Sequence, residues 1–510
     1  MKKLLTSIIV VALVLTAALT VFAACGDKTD YEHTIVFYSS QGQKLDAITQ
    51  TAIDQFQAKY PGWKVIHSRI GGYDDVKDKV VSDIGANQQP DLAYCYPDHV
   101  ATYLKSGTVV NISELINSDA KVAGKEVTWD DEANGGDGAY VVGGDKEYAV
   151  GYTKDEMKDF IANFLEEGYA ENYPEYDRFG FEDKDLITLP FAKSTDLMYY
   201  NADALIAAGF KNADGTAHPA ETWDELWAQC KVLKEKFSDC TPFAFDSEAN
   251  LFITMCEQNG WGYTASMGTE NYLFYNQAAA KWLDDLKTYK DQGLFTTKQM
   301  IGGAYTSTLF QLGVGKLNGV DTDETGVVYC IGSSGGASNQ YSKSKKWTVG
   351  IAGIPGSVVG KDSEGNDVVN DACISQGPSL VMLAGGNKVK NVEEKKIMTF
   401  LFVKELLDID FQATYCKESG YNPARQSVLT QKDYAKFLSG TSSTALAANV
   451  ATSLSSKFFV SPAFDGSSKA RTQVGNALVL AATGQKTGQI ALMDAYSNCT
   501  GSDPSSYPAK

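Results

Sequence analysis

The sequence predicts an α/β protein built around an open parallel sheet, and two observations carry this prediction. Between residues 34 and 95, short apolar runs alternate with segments of helical periodicity in the order β-α-β-α-β, which is the pattern of a parallel sheet with helices on both faces. The chain has 510 residues, of which 44% are hydrophobic and 21% charged. This is an ordinary globular composition and is enough for two large lobes or three small ones.

The individual elements are predicted from residue periodicity and turn signals. Thr222 and Glu225 stand at the spacing of a capping box, so we expect a helix to begin there. Residues 119–150 contain two glycine-rich clusters and are predicted to be a loop-rich insertion. Strands are predicted at 34–38, 63–69, 91–95, 327–331, 347–354 and 379–383, and helices at 45–56, 73–86, 154–167, 202–209, 250–259, 276–291 and 393–407.

The first residues of the chain have the pattern of a lipoprotein signal. Two lysines precede an apolar run at 4–22, and two alanines then precede Cys25. We therefore expect a signal peptide at 1–24, cleavage before Cys25, a lipid on its thiol and a polar tether over 25–33. Phe22 stands where this pattern usually has leucine, and the alternatives are an uncleaved anchor or an ordinary secretory signal.

Composition limits the classes of partner. The formal net charge is −18, and an acidic surface disfavours nucleic acid and anionic lipid. The four histidines have no metal-ligand spacing and the nine cysteines form no C-x-x-C pair, so we predict no metal and no cofactor. The sequence leaves undecided whether Cys230 and Cys240 form a disulfide. An exported protein can hold one, and only a short loop separates the two residues.

Three stretches of the chain carry a family resemblance. The most specific runs from 189 to 233, with LPFAKSTDLMYYNADALIAAGF followed by ETWDELWAQCKVL, while GIAGIPG at 350–356 and ESGYNPARQSV at 418–428 agree in order and spacing. Together they resemble family 1 extracellular solute-binding proteins, the maltose-binding-like receptors of ABC importers, over about residues 34–498. The resemblance implies a two-lobe periplasmic-binding-protein fold of type II, with the ligand in the cleft between the lobes.

The resemblance also implies where the chain crosses between the lobes. Lobe 1 would hold 34–190 and 352–407, and lobe 2 would hold 191–351 and 408–510; the insertion at 119–150 has no counterpart in the pattern. Such receptors close on a small polar solute by hinge rotation and deliver it to the permease subunits of an ABC importer. We expect a monomer at the outer face of the cytoplasmic membrane, attached to the membrane only through its lipid.

Within this family the pattern is closest to the glycerol-3-phosphate-binding type, whose ligand-contacting positions fall on six residues of this chain. A guanidinium holds a phosphate or carboxylate through a planar pair of donors, and a tyrosine offers a flat apolar face with a hydroxyl. The turn at 333–336 can aim backbone N–H groups and hydroxyls at an anion. The six predicted ligand-binding residues are Tyr73, Ser194, Ser334, Gly377, Tyr421 and Arg471.

The pattern favours a glycerol or sugar phosphate as the ligand, with a neutral oligosaccharide as the alternative, and departures from the pattern leave the exact ligand open. Ser39 and Ser40 occupy positions where the pattern has an aromatic residue and a histidine. Pro97 stands in place of a glutamate, and the tryptophan expected near 246–249 is absent.

Enzyme motifs in the chain are incomplete. Residues 332–336 satisfy G-x-S-x-G, but a hydrolase of that type needs a histidine later in the chain, and the last one is His218. We therefore predict no enzyme activity. Outside the receptor class, the alternatives are a secreted glycosidase, since 63 acidic residues offer many carboxylate pairs, or an adhesion lipoprotein.

Overall fold

The computed structural model describes residues 29–133, 138–268, 270–315, 317, 326–341, 346–502 and 504. The predicted signal peptide 1–24 and its Cys25 lie outside these residues. Within them, no helix combines the length and the apolar character needed to cross a membrane.

Strands occur along most of the chain and are mostly short. In chain order they are β1 (Thr34–Ser39), β2 (Lys64–Arg69), β3 (Leu92–Cys95), β4 (Lys121–Asp130), β5 (Ala139–Ala149), β6 (Leu189–Pro190), β7 (Ala192–Lys193), β8 (Asp196–Asn201), β9 (Phe243–Phe245), β10 (Phe295–Thr297), β11 (Tyr329–Ser333), β12 (Val349–Gly353), β13 (Ser357–Lys361), β14 (Asp367–Asn370), β15 (Cys373–Ile374), β16 (Ser379–Met382), β17 (Asn422–Pro423) and β18 (Phe458–Phe459).

Helices connect the strands and cover both sheets. They are Gln43–Lys59, Tyr73–Gly85, Pro97–Leu104, Ile112–Ile116, Lys154–Lys158, Ala162–Glu166, Ala202–Ala207, Trp223–Lys236, Glu248–Asn259, Gln277–Asp291, Ser307–Phe310, Ala337–Tyr341, Val392–Leu406, Ile409–Ser419, Gln426–Thr430, Lys432–Leu438, Ser443–Ser453, Ser467–Ala482 and Gly488–Thr500.

The first lobe is built on a five-stranded sheet in the order β2-β1-β3-β16-β6. The strands β2, β1 and β3 are parallel, as predicted, and β16 runs antiparallel to β3 and β6. Both faces of β1 are buried: Ile35 and Phe37 belong to one apolar cluster, and Val36 and Tyr38 belong to another on the opposite face. A strand covered on both faces reads as a continuous apolar run, which explains the sequence IVFY.

The second lobe repeats this plan. Its sheet has the order β10-β9-β11-β8-β12, in which β8 runs antiparallel to both β11 and β12. Met198 of β8 lies in the large cluster on one face, while Leu197 and Tyr199 lie in the cluster on the other. The helix Trp223–Lys236 begins where the capping box predicts, since the Thr222 side chain accepts a hydrogen bond from the backbone N–H of Glu225.

The lobe boundaries expected at 351/352 and 407/408 differ from the packing. Gly353 is still paired in the second sheet, and the chain rejoins the first sheet only at Ser379. Residues of the range 409–438, including Phe411 and Tyr434, are buried in the same cluster as Phe37, so this segment belongs to the first lobe. Both lobes bury helices of the same periodicity, and the sequence pattern therefore could not assign these helices to one lobe.

The predicted loop-rich insertion at 119–150 forms a long hairpin instead. Its strands β4 and β5 pair antiparallel from Lys121↔Ala149 to Asp130↔Ala139. Tyr148 of the hairpin packs against Tyr60, at the end of the helix Gln43–Lys59, with ring centroids 5.5 Å apart. The glycines indicated loops, but the segment also contains Val, Thr, Trp and Tyr, which are residue types that favour paired strands.

The Cys230–Cys240 disulfide, which the sequence left open, is not formed. Both residues are free thiols buried in the core of the second lobe. Burial raises the pKa of the Cys240 thiol to about 12, so it stays protonated and unreactive.

Candidate ligand-binding cleft

A cleft of about 1270 Å³ separates the two lobes. Residues directly after β1 and β3 line its first wall, among them Gln41 and Tyr96, and Gly335, directly after β11, lines the second. Ligands of open α/β sheets bind outside the carboxyl ends of the strands. The cleft exceeds the usual 300–1,000 Å³ of a small-molecule pocket.

Tyrosines make up the wall of the first lobe. The rings of Tyr73 and Tyr96 are stacked with centroids 4.3 Å apart, and Tyr421 lines the same wall. Tyr94 and Tyr415 lie behind them and also reach the cleft. Burial raises the pKa of all five phenols, so each hydroxyl keeps its proton and can both donate and accept.

The wall of the second lobe is a hydrogen-bonded network of amides and charges. The Asn250 side-chain amide donates to Asp196 Oδ2 and to Gln376 Oε1, both at 2.9 Å. Gln376 donates back to Asn250 Oδ1 at 3.1 Å, and the Arg471 guanidinium donates to the same oxygen. Asn250 therefore connects Arg471 to the carboxylate of Asp196.

Carboxylates outnumber cations in the lining of this cleft. Asp74, Asp75, Asp196, Asp246 and Glu248 line it, against Lys298 and Arg471. Burial raises the pKa of Asp196 to about 6, although the Asn250 hydrogen bond and the charge of Arg471 act to lower it. Burial also raises the pKa of Asp246. In the described part of the chain, no group of His, Cys, Asp and Glu is arranged to hold a metal ion.

The segments that cross between the lobes are joined by buried polar contacts. The Lys193 ammonium, 1% exposed, pairs with the Glu167 carboxylate and donates to Ser379 Oγ at 3.0 Å. Ser375 donates to the same carboxylate, and Thr195 Oγ1 donates to the carbonyl of Ile374 at 2.8 Å. These contacts hold two of the segments that cross between the lobes side by side at the base of the cleft.

A sequence profile described as bacterial extracellular solute-binding protein matches residues 51–437, which is more than half of the chain. The chain belongs to this family. It is therefore an extracellular solute-binding protein and not an enzyme, as predicted. A comparison with curated protein sequences returns no match.

Several solved structures share the two-lobe fold with this chain at low sequence identity. The GacH receptor of Streptomyces glaucescens is 13% identical with a TM-score of 0.64, covering 92% of this chain and 99% of its own. UgpB from Mycobacterium tuberculosis, in complex with glycerophosphocholine, is 15% identical with a TM-score of 0.65, covering 92% and 98%. Maltose-bound MalE3 from T. maritima is 15% identical with a TM-score of 0.62, covering 92% and 99%. At such identities the likeness establishes the fold alone.

Four of the six residues predicted to bind ligand lie in the cleft lining of this solute-binding protein. Tyr73 and Tyr421 belong to the tyrosine wall, Arg471 belongs to the amide network, and Ser194 lies at its base in a bridge with Gln376.

Ser334 and Gly377 lie outside the lining. Ser334 is fully buried, and its Oγ accepts a hydrogen bond from Thr195 N at 3.4 Å, so the neighbouring Ser333 reaches the cleft instead. Gly377 has a φ of +87°, and a Cβ there would stand 2.2 Å from the carbonyl oxygen of Ala192. Glycine is required at 377 by this close approach of two crossing segments.

Other residues of the lining were missed from the sequence. Asp196 lies two positions after Ser194 in the same motif, which is a signal that could have indicated it. Asn250 and Glu248 stand at the start of the helix Glu248–Asn259, and Tyr305 follows two glycines. Nothing in their local sequence distinguishes these residues from ordinary capping and turn residues.

Proposed function

We propose that this solute-binding protein captures an uncharged carbohydrate in the cleft and presents it to the permease of an ABC importer. The observation that carries the proposal is the pairing of the two walls. Tyr73, Tyr96 and Tyr421 offer aromatic faces and hydroxyls on one side, and Asp196, Asn250 and neighbouring polar side chains offer planar hydrogen-bonding groups on the other. Sugars combine apolar C–H faces with many hydroxyls and match both kinds of surface.

The charge of the cleft favours a ligand without a negative charge. Five carboxylates face two cations in the lining. Arg471, the predicted phosphate ligand, is already hydrogen-bonded to Asn250 and through it linked to Asp196. An incoming phosphate would meet carboxylates whose repulsion is weakly screened in a partly enclosed site. A sugar hydroxyl would instead donate hydrogen bonds to these carboxylates.

A phosphate-bearing solute is the second candidate. Ser333 Oγ already accepts from the backbone N–H of Gly335 at 3.2 Å, and this turn lines the cleft. Among the proteins of similar fold, GacH was solved with acarbose, MalE3 with maltose and UgpB with glycerophosphocholine. Both ligand classes therefore occur on this fold, and the charge argument favours the carbohydrate.

Binding would act through hinge closure. A ligand that contacts both lobes stabilises the closed form, and the permease is expected to recognise that form. The crossing segments around Lys193 and Ser375 are the expected hinge, since they join the lobes and are already bonded to each other through Glu167.

The receptor is further proposed to be held at the outer face of the cytoplasmic membrane by a lipid on Cys25. The pattern of lysines, apolar run and small residues before this cysteine supports the assignment. Its membrane contact would be the lipid alone, and a monomer is sufficient because the described cleft is formed by one chain.

Thermal-shift screening followed by solution scattering tests the function. Maltose, maltotriose, tagatose, glycerol 3-phosphate and glycerophosphocholine would be compared on the mature protein. A ligand at a hundred times its Kd should add about 2.7 kcal/mol to the free energy of unfolding, and the same ligand should lower the radius of gyration. A tight ligand that leaves the scattering profile unchanged would contradict hinge closure.

A further inference from the structure

Tyr305 is an exposed aromatic side chain in the lining of the cleft. It is 61% exposed, more than any other large hydrophobic side chain in the described part of the chain. It follows Gly302 and Gly303, whose φ angles of +82° and +90° lie in the left-handed region, and this bend carries Tyr305 out from the body of the second lobe. An aromatic ring left in water inside a concave site indicates a surface that a ligand covers.

Tyr305 is nevertheless well positioned. The Asp246 carboxylate accepts hydrogen bonds from Thr306 N at 2.6 Å and from Thr306 Oγ1 at 2.7 Å, which fixes the backbone next to Tyr305. The Lys298 ammonium stands 3.9 Å from the centroid of the Tyr305 ring, the arrangement of a cation–π contact. One face of the ring is thus occupied by a cation, and the exposed remainder is available to a ligand.

A second aromatic ring lies nearby on the first lobe. Tyr421 packs against the core of that lobe. Tyr421 lines the same cleft as Tyr305. Each lobe therefore contributes an aromatic ring to the lining of the cleft.

We propose that Tyr305 is the residue with which the second lobe stacks on the ligand, and that Lys298 behind it selects an uncharged ring over a cationic head group. The proposal rests on the carbohydrate function proposed above. The C–H face of a sugar meets the electron-rich face of an aromatic ring favourably. A quaternary ammonium on the same ring would face the like charge of Lys298 across one aromatic plane.

Calorimetry on variants tests both halves, with maltose, maltotriose and tagatose as uncharged probes and glycerophosphocholine, a zwitterion, as the probe that carries a quaternary ammonium head group. Tyr305→Ala should weaken sugar binding about 10- to 100-fold, and Tyr305→Phe should stay within about threefold of wild type because it keeps the ring. Lys298→Met should shift the ratio of affinities towards glycerophosphocholine by about 5- to 10-fold. Trp129→Ala, which removes a 52% exposed ring of the hairpin outside the cleft lining, is the matched control.

The outcomes separate the two proposals. A sugar that binds wild type and Tyr305→Ala equally would overturn the stacking role and leave the carbohydrate function standing. An unchanged affinity ratio in Lys298→Met would overturn the selectivity. If none of the sugars binds wild type, the carbohydrate function fails and the role of Tyr305 fails with it. Since Tyr305 is exposed, thermal melting of Tyr305→Ala should match wild type and show that the variant is folded.

Discussion

The phenol ring of Tyr421 lies directly over Gly335, so that a Cβ added at Gly335 would stand 2.5 Å from Cζ of the ring. Tyr421 packs on the core of the first lobe, and Gly335 follows a central strand of the second sheet. The missing side chain in one lobe thus makes room for an aromatic ring of the other, at the base of the proposed binding site.

Gly335→Ala should therefore displace the Tyr421 ring. We expect ligand affinity to fall about tenfold, since an aromatic contact contributes roughly 0.5–1.5 kcal/mol beyond its buried area. Calorimetry with the best sugar of the screen measures this. Gly336→Ala is the comparison within the same turn and cleft lining, because a Cβ there meets nothing within 4 Å and leaves the Tyr421 ring in place. If both variants bind like wild type, the contact with Gly335 does not position the ring.

Gly377→Ala should destabilise the fold rather than act on the ligand directly. The left-handed φ costs a residue with a Cβ about 1–2 kcal/mol, and the 2.2 Å approach to the Ala192 carbonyl adds an overpacking cost of about 1–3 kcal/mol. Gly365→Ala separates the backbone cost from the overpacking cost, because Gly365 has a φ of +88° and a Cβ there would meet nothing within 4 Å. Urea denaturation should show the larger loss for Gly377→Ala; equal losses would remove the close contact from the explanation.

Asp196 should make the free energy of unfolding depend on pH in a defined direction. Burial raises the pKa of Asp196 to about 6 from the ordinary 3.8 of an aspartate. Between these pH values the folded state binds more protons than the unfolded state, so this group's contribution to stability falls as pH rises. Asp196→Asn removes that dependence. Relative to wild type, the variant should gain up to about 3 kcal/mol between pH 4 and pH 7.

Denaturation of both proteins across this range measures the difference. Asp91 has a similarly raised pKa and affects both proteins alike, so it cancels. If the free energy of unfolding of wild type and of Asp196→Asn changes with pH in the same way, Asp196 has an ordinary pKa and the prediction is wrong.

Cys25→Ser should release the protein from membranes without changing its thermal melting, because the lipid would be its only anchor. Detergent phase partitioning of cells expressing each form, with mass spectrometry of the mature N-terminus, measures this. A mature N-terminus elsewhere, with no acyl mass on Cys25, would end the lipoprotein proposal.

The sequence predicted the parallel strands of the first sheet because strands buried on both faces are continuous apolar runs, as Ile35 to Tyr38 shows. It could not predict which lobe buries Phe411 or Tyr434, because that choice depends on which of two similar apolar surfaces a helix meets. The hairpin at 119–150 was missed because its glycines indicated loops. The pairing of its two strands is a non-local contact, which the local sequence does not show.

The site shows the same division between local and non-local information. Tyr73, Ser194, Tyr421 and Arg471 were placed in the cleft by resemblance to a known pattern. In the connection from Arg471 through Asn250 to Asp196, Asn250 lies 221 positions before Arg471 and 54 positions after Asp196. Only the fold brings these three residues together. That connection changes the expected role of Arg471, from a ligand for phosphate to a member of an acidic network.

Calorimetry of wild type and Arg471→Ala with maltotriose and with glycerol 3-phosphate tests the central claim most directly. If the cleft binds an uncharged carbohydrate, maltotriose should bind wild type, and Arg471→Ala should weaken it by the equivalent of one hydrogen bond, about 0.5–1.5 kcal/mol. Added salt should then have little effect. Tight binding of glycerol 3-phosphate alone, weakened by salt and by about 2–5 kcal/mol in Arg471→Ala, would contradict the account.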